Sequence, residues 1–470
     1  MSQTPLPPGP FDDQPPYPGH DSVARRVFAW LVILASSAAI IAATAYRYHH
    51  AARDSDSQPS ETRVTQLTLI AKYAVGARDF LRAASAGQAQ QTLQQMTSQM
   101  NDVARAPTEH LRVAMVTGEM VDGKSAVERI HAVEPTVTTD AVRQDIAALT
   151  QIYSTGPDSL DPAKAQRLVQ RYGWFGHLAV GFKPKADAPD NADRQIALAT
   201  ARRVAIALIA AVVIAGTVFA VGFVLMILLL VFLLDGKLTR RFVPTSAHSG
   251  PFLEAFAIYL GGFLLISLIA RFAAPRLLEH MGVYYLLLAL PPALAIAWPR
   301  WCGVPVRQWK QGLGWHTGRG IFKEIGLGIT GYIAGFPFLA LMFWITTFLI
   351  KLAHAQPDHP VIHQLTGSRG MLLEVFILAC IFAPIVEETM FRGALFNYLR
   401  SGYAWLPSAL VTSLIFAAIH PQGWTLIPML GGIAMVLAAI REWRGTILSS
   451  AAAHAFNNGT VVLFVVLLMR

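Results

Sequence analysis

The chain has 470 residues, 54% hydrophobic and only 14% charged, with a mean hydropathy of +0.43, where soluble domains carry about 25% charged residues. That balance excludes an all-soluble globular chain and a disordered one, and two cysteines, Cys302 and Cys380, exclude a disulfide framework and a four-cysteine zinc site. The excess of 38 Lys and Arg over 29 Asp and Glu is uneven: residues 47–203 carry 19 against 17, and residues 204–470 carry 17 against 9, in loops between apolar runs. Such a distribution orients a membrane protein and gives no reason to expect a nucleic acid as partner.

Residues 1–24 are Pro-rich and acidic, with almost nothing to bury, and read as a disordered cytoplasmic tail. Arg25 and Arg26 lead into Val27–Ala45, nineteen mostly apolar residues, about 28 Å as a helix and enough to span a bilayer. This makes 25–46 a transmembrane anchor. Ala43-Thr44-Ala45 resembles a small-residue cleavage site, so a cleaved signal peptide is the alternative; the acidic leader and the long apolar stretch favour the anchor. Residues 47–203 have soluble composition, with apolar residues at helical spacing in Val64–Leu81 and Ala141–Tyr153. Gln88–Ala104 and Asp161–Tyr172 also read as helices, the latter with Pro162 in its first turn. No strand alternates and no motif is interpretable. Phe182–Asp193 is the linker back to the membrane.

Residues 204–249 comprise a long span and a basic loop: Val204–Leu234 holds no charge and would be about 46 Å long, so it must tilt or protrude. Further spans are predicted at Phe252–Ile269, Gly282–Trp298, Ile325–Ile350, Met371–Val386 and onward, Ala404–His420, Trp424–Ile440 and Thr446–Met469, about nine in all. With the N-terminus in the cytoplasm, alternation leaves fourteen Lys and Arg in cytoplasmic segments and five in short outer ones. The positive-inside rule thus puts 47–203 outside the cytoplasm. The expectation is an all-α fold: a polytopic transmembrane helical bundle with an extra extracytoplasmic helical domain, in a bacterial cytoplasmic (inner) membrane.

Nine acidic residues follow residue 203, and two are adjacent, Glu387 and Glu388 in Ile385-Val386-Glu387-Glu388-Thr389-Met390-Phe391-Arg392. An ionisable group inside a span is a functional candidate. Glu388 and Arg392 stand i,i+4 on one helix face, in the better orientation for an ion pair, while Glu387 projects about 100° away. The split leaves Glu387 available as a general base. His420 ends the next span, one turn after Phe416; His454 and Asn458 stand i,i+4 in the last. Counted from the turn at Ser401-Gly402, Glu387 and His420 lie at about 22 and 27 Å, nearly one depth in an antiparallel hairpin. A carboxylate and an imidazole there can activate a water, with a second histidine and an amide donating to an oxyanion. Alternatively Glu387, His420 and His454 are three metal ligands with one position open. A zinc ion is compatible with this set and not required by it; no HExxH occurs in the chain.

Glu-Glu-x-x-x-Arg, then Phe-x-x-x-His, then His-x-x-x-Asn on three late helices resembles the CPBP family of CAAX prenyl proteases and bacteriocin-processing or immunity-type membrane proteins, also called Abi. The likeness covers about residues 250–470. It implies an intramembrane endopeptidase, of a family commonly called metalloproteases, acting on membrane-associated peptide or protein substrates in the lipid bilayer. It implies water activation by Glu387 and His420, an oxyanion site at His454 and Asn458, and support of the base by Glu388 and Arg392. Residues 1–249 lie outside it. A catalytically silent scaffold or immunity-type protein is the rival reading, and a transporter the third. The remaining signals are weaker. Cys380 lies on the face of Glu387 but an apolar span makes a thiol inert. His359 and His363 flank Pro360 in a loop, and Gly326, Gly328, Gly331 and Gly335 suit close helix packing.

Overall fold

The computed structural model describes residues 22–54, 60–84, 86–184, 189–245, 249–272, 281–353 and 369–469. His359 and His363 lie outside the described residues. No strand occurs among those described, and the chain forms two compact units: Met1–Arg47 with Gly216–Leu463, and Tyr48–Ala215 grouped with Phe464–Arg470. The protein is an all-α, multi-pass membrane bundle. Among the described residues six helices are long and apolar enough to cross a membrane, or seven when one bent pair counts as a single span.

The unit formed by Tyr48–Ala215 is built from α2 (Glu61–Ala84), α3 (Ala86–Val103), α4 (Pro107–Met120), α5 (Gly123–Val133), α6 (Asp140–Thr155), α7 (Pro162–Tyr172), α8 (Trp174–Val180) and the first part of α9 (Ala192–Leu234); α1 (Val23–Asp54) precedes it. The four expected helices are present, and Asp161 caps α7 by accepting from the Ala163 N–H at 2.7 Å. Three more helices, α4, α5 and α8, went unread. In α4 five successive positions apart from Arg112, namely Leu111, Val113, Ala114, Met115 and Val116, are almost fully buried. A helix covered on every side has no polar face and hence no period to detect. Glu109, fully buried at its start, accepts from the N–H groups of Ser60, Arg105 and Ala106 and from Arg63 Nε, all at 2.8–3.0 Å. Burial works against the charged form of Glu109, but these five hydrogen bonds outweigh it and hold the carboxyl below the usual carboxylate range.

The other unit holds α1 as far as Arg47, the later part of α9, α10 (Gly250–Phe272), α11 (Met281–Trp301), α12 (Val306–Leu313), α13 (Ile321–Ala334), α14 (Phe336–Leu352), α15 (Gly370–Gly402), α16 (Trp405–Ala418), α17 (Ile427–Arg444) and α18 (Ile447–Met469). The first helix is part of its core. Ala29 and Ile33 are buried with Phe252, Phe256, Phe391 and Phe416, and Arg25 pairs with Glu254 at 2.8 Å while the Trp298 indole donates to the same carboxylate oxygen at 2.8 Å. The expected span Ile325–Ile350 is instead two helices meeting at 49°, because Pro337 supplies no N–H to continue the ladder past Gly335. The expected span Ala404–His420 is a helix of 14 residues, about 21 Å long and short for a crossing.

Close packing follows from small residues where the sequence placed them. A Cβ at Gly328 would lie 2.1 Å from Ser449 O, one at Gly331 2.9 Å from Ile440, and one at Gly335 2.8 Å from Val436, whereas Gly326 faces open space. Buried arginines then tie the helix ends. Arg444 grips Glu324 through two bonds at 2.7 and 2.8 Å, and Arg400 grips Glu442 through two at 3.1 Å. Such forked pairs satisfy both charges at once. Arg441, fully buried, donates to the carbonyls of Gly312, Arg392 and Gly445 and lies over the Phe242 ring. Gly314, at φ 77°, has no side chain that would strike this guanidinium; a Cβ there would lie 2.6 Å from Arg441 Cζ.

Candidate active site

Helix α15 carries the two glutamates, and it is not a regular α-helix. Wide π turns run from Leu378 to Phe382 and from Glu388 to Leu395, on either side of a five-residue α segment ending at Glu387. Such turns widen where a donor is missing or a side chain enters the ladder, and they recur at functional positions. Here Pro384 supplies no N–H, while Arg441 Nε donates to the Arg392 carbonyl within the second turn at 3.3 Å. Gly393 lets the chain at Leu313 approach closely, since a Cβ would lie 2.8 Å from Leu313 O.

From this helix Glu388 and Arg392 point inward and are fully buried, with Arg392 Nη1 donating to Glu388 Oε1 at 2.9 Å and Nη2 to Ala434 O at 3.0 Å. Glu387 is more open, its side chain 22% exposed, and its Oε2 has no hydrogen-bond partner among the described residues. One imidazole sits between the two carboxylates. His454 Nδ1 is 3.1 Å from Glu388 Oε1 and Nε2 is 3.8 Å from Glu387 Oε2. Only a donated Nδ1–H suits an ionised Glu388, so Nε2 faces Glu387. At 3.8 Å that approach is too long for a direct hydrogen bond.

His420 stands just past the end of α16, where its Nδ1–H donates to the Phe416 carbonyl at 2.5 Å. This fixes the tautomer and leaves Nε2 with its lone pair. Phe416 is the common neighbour: its ring centroid lies 4.3 Å from that of His420 and 6.2 Å from that of His454, and Arg392 Cζ lies 4.9 Å over its face. Glu387, Glu388, Arg392, His420 and His454, from three helices, therefore surround one aromatic ring or its immediate partners. Asn458 is one turn beyond His454 and is tied elsewhere, its Nδ2 donating to Ala379 O at 2.8 Å and its Oδ1 accepting from Asn457 Nδ2 at 2.9 Å. Tyr332 and Asn457 escaped the sequence reading. A tyrosine within a glycine-rich span and a second consecutive asparagine in an apolar helix were the available signals. Among the described residues no group of three or more His, Cys, Asp or Glu side chains is arranged to hold a metal ion; the trio Glu387, His420 and His454 does not fit one as placed. Cys380 is buried.

A family model described as "Type II CAAX prenyl endopeptidase Rce1-like" matches residues 369–460, the stretch that holds all six of these side chains. Over this stretch the chain is similar to the type II CAAX prenyl endopeptidases. An Escherichia coli protein described as "Uncharacterized 24.3 kDa protein" is 36% identical over 111 residues, which are 21% of this chain and 49% of that protein. The chain thus spans about half the length of the curated relative it matches. No solved structure matches it. Residues before 369 lie outside the match.

Proposed function

We propose that the chain is an intramembrane endopeptidase that hydrolyses peptide bonds of membrane-associated substrates, prenylated CAAX-type peptides or peptide precursors, with Glu387 as general base. The observation that carries this reading is the environment of Glu387. Its Oε2 is buried without a hydrogen bond among the described residues, beside His454 Nε2 and one residue from a carboxylate that Arg392 already neutralises. A carboxylate used only for structure would be paired, as Glu324 and Glu442 are.

In the proposed reaction Glu387 takes a proton from a water whose oxygen attacks the scissile carbonyl carbon, and His420 Nε2 accepts that water's other proton as a hydrogen bond. The carbonyl oxygen becomes an oxyanion, for which Asn458 retains one amide N–H beyond that given to Ala379. As the C–N bond breaks, the proton on Glu387 reaches the departing amine directly or by way of His454 Nε2. Glu388 fixes the His454 ring for that transfer, which favours a proton-carrying role for His454 over the oxyanion role the resemblance implied. No step uses a metal.

The test is cleavage of a farnesylated CAAX peptide by membranes holding the native chain or Glu387→Gln, with and without chelator. Cleavage by the native chain alone supports the reading. Equal cleavage by both refutes the role of Glu387, and binding without cleavage by either favours the scaffold.

A further inference from the structure

Inside α15 the Ala379 carbonyl has lost its backbone donor. In the π turn Leu378–Phe382 an N–H reaches five residues back, as Ala383 N–H does to Leu378 O. The next donor in that series would be residue 384, a proline with no N–H. A carbonyl at membrane depth needs another partner, and Asn458 Nδ2 supplies it at 2.8 Å.

The rest of the chain of bonds is then fixed in direction. A carbonyl oxygen only accepts, so Asn458 must turn its NH2 to Ala379 and its Oδ1 to Asn457, which donates from Nδ2 at 2.9 Å. Asn457 must then turn its Oδ1 away, and the Tyr332 hydroxyl donates to it at 2.6 Å. Tyr332 is buried at 5% exposure, with its ring 6.1 Å from that of Phe456. It reaches α18 because Gly328 lets α13 approach the Ser449 backbone so closely. The Ala379 carbonyl thus fixes the orientation of two amides, and the Tyr332 hydroxyl completes the series at its far end and holds the turn ending five residues before Glu387 through them.

We infer that Tyr332 and Asn457 are positioning residues, which act through Asn458 to hold the proline-broken turn ahead of Glu387 and to stop the Asn458 amide from flipping. The effect on turnover rests on the proteolytic reading above; the hold on the turn does not. Cys380, buried within that turn, reports on it independently. In full-length protein with Cys302→Ser, so that Cys380 is the single thiol, alkylation by N-ethylmaleimide is timed for native Tyr332, Tyr332→Phe and Asn457→Leu. Loss of one neutral hydrogen bond should speed alkylation roughly 2- to 10-fold. In the same preparations kcat on the farnesylated peptide should fall by a similar factor with KM unchanged. Pro384→Ala, which gives Ala379 its own backbone donor, should bring alkylation in Tyr332→Phe back toward the native rate. Unchanged alkylation in Tyr332→Phe overturns the inference, as does faster alkylation that Pro384→Ala leaves unrescued or that accompanies an unchanged kcat. Should Glu387→Gln prove fully active, the proteolytic reading fails, and the alkylation and rescue still decide whether the relay holds the turn.

Discussion

Glu388→Gln removes the charge facing Arg392, and the structure gives the size of the consequence. Both side chains are fully buried, and after the substitution Arg392 would keep the Ala434 carbonyl and the face of Phe416 but no anion at contact. Breaking a buried ion pair from one side costs about 3–5 kcal/mol, on the order of 10 °C in melting temperature for a unit of this size. Glu387→Gln is different. That carboxylate has no hydrogen bond to lose among the described residues, lies 3.8 Å from His454 and stands next to a like charge. Its neutralisation should change stability by less than about 1 kcal/mol and abolish cleavage. A thiol-reactive dye suits the assay, because Cys302 and Cys380 are both buried and react far faster once the chain unfolds. Parallel melting curves and peptide-cleavage rates on the two variants decide the matter. An equal drop in melting temperature for both, or a normal melt for Glu388→Gln, would refute the division of labour between these neighbours.

Topology is open to reporter fusions: alkaline phosphatase fused near Asp158 should be active and one near Gln311 silent, and the reverse pattern would sink the placement of 47–203 outside the cytoplasm. In that region Glu109 is held below the ordinary 4.5 by Arg63 and three backbone N–H groups against the effect of burial. A depressed carboxyl stabilises fully above the unfolded value and loses that contribution as pH falls through the folded one, so protease resistance of this unit should hold above about pH 4.5 and fall below it. Glu109→Gln should cost about 3 kcal/mol at neutral pH and flatten that acid dependence; an unaltered pH profile would contradict the assignment. As for metal, the donor arrangement predicts cleavage insensitive to chelator and less than stoichiometric zinc in purified protein. One zinc per chain, lost together with activity in His454→Gln, would overturn that expectation.

The linear sequence determined what depends on neighbours in the chain. Long uncharged runs must become helices in lipid, because no other segment satisfies its own backbone there, and the pairing of Glu388 with Arg392 needs only four residues of helix. The order of the motifs was likewise readable, and with it the similarity to CAAX proteases over residues 369–460. Tertiary structure decided everything that turns on what covers a residue. Helix α4 hides because it is buried all round and so has no period. The bend between α13 and α14 comes from Pro337, while the π turns of α15 accompany Pro384 in the first, where Asn458 takes the Ala379 carbonyl, and Arg441 in the second, where it takes the Arg392 carbonyl. His454 could be placed on the right helix but not between two carboxylates, since that depends on the crossing of α15 and α18. The first helix reads as a separate anchor, yet Arg25, Ala29 and Ile33 pack into the core that backs Phe391 and Phe416. Apolar periodicity says that a face will be buried; only packing, set by glycines that let backbones touch and arginines that reach distant carbonyls, says against what.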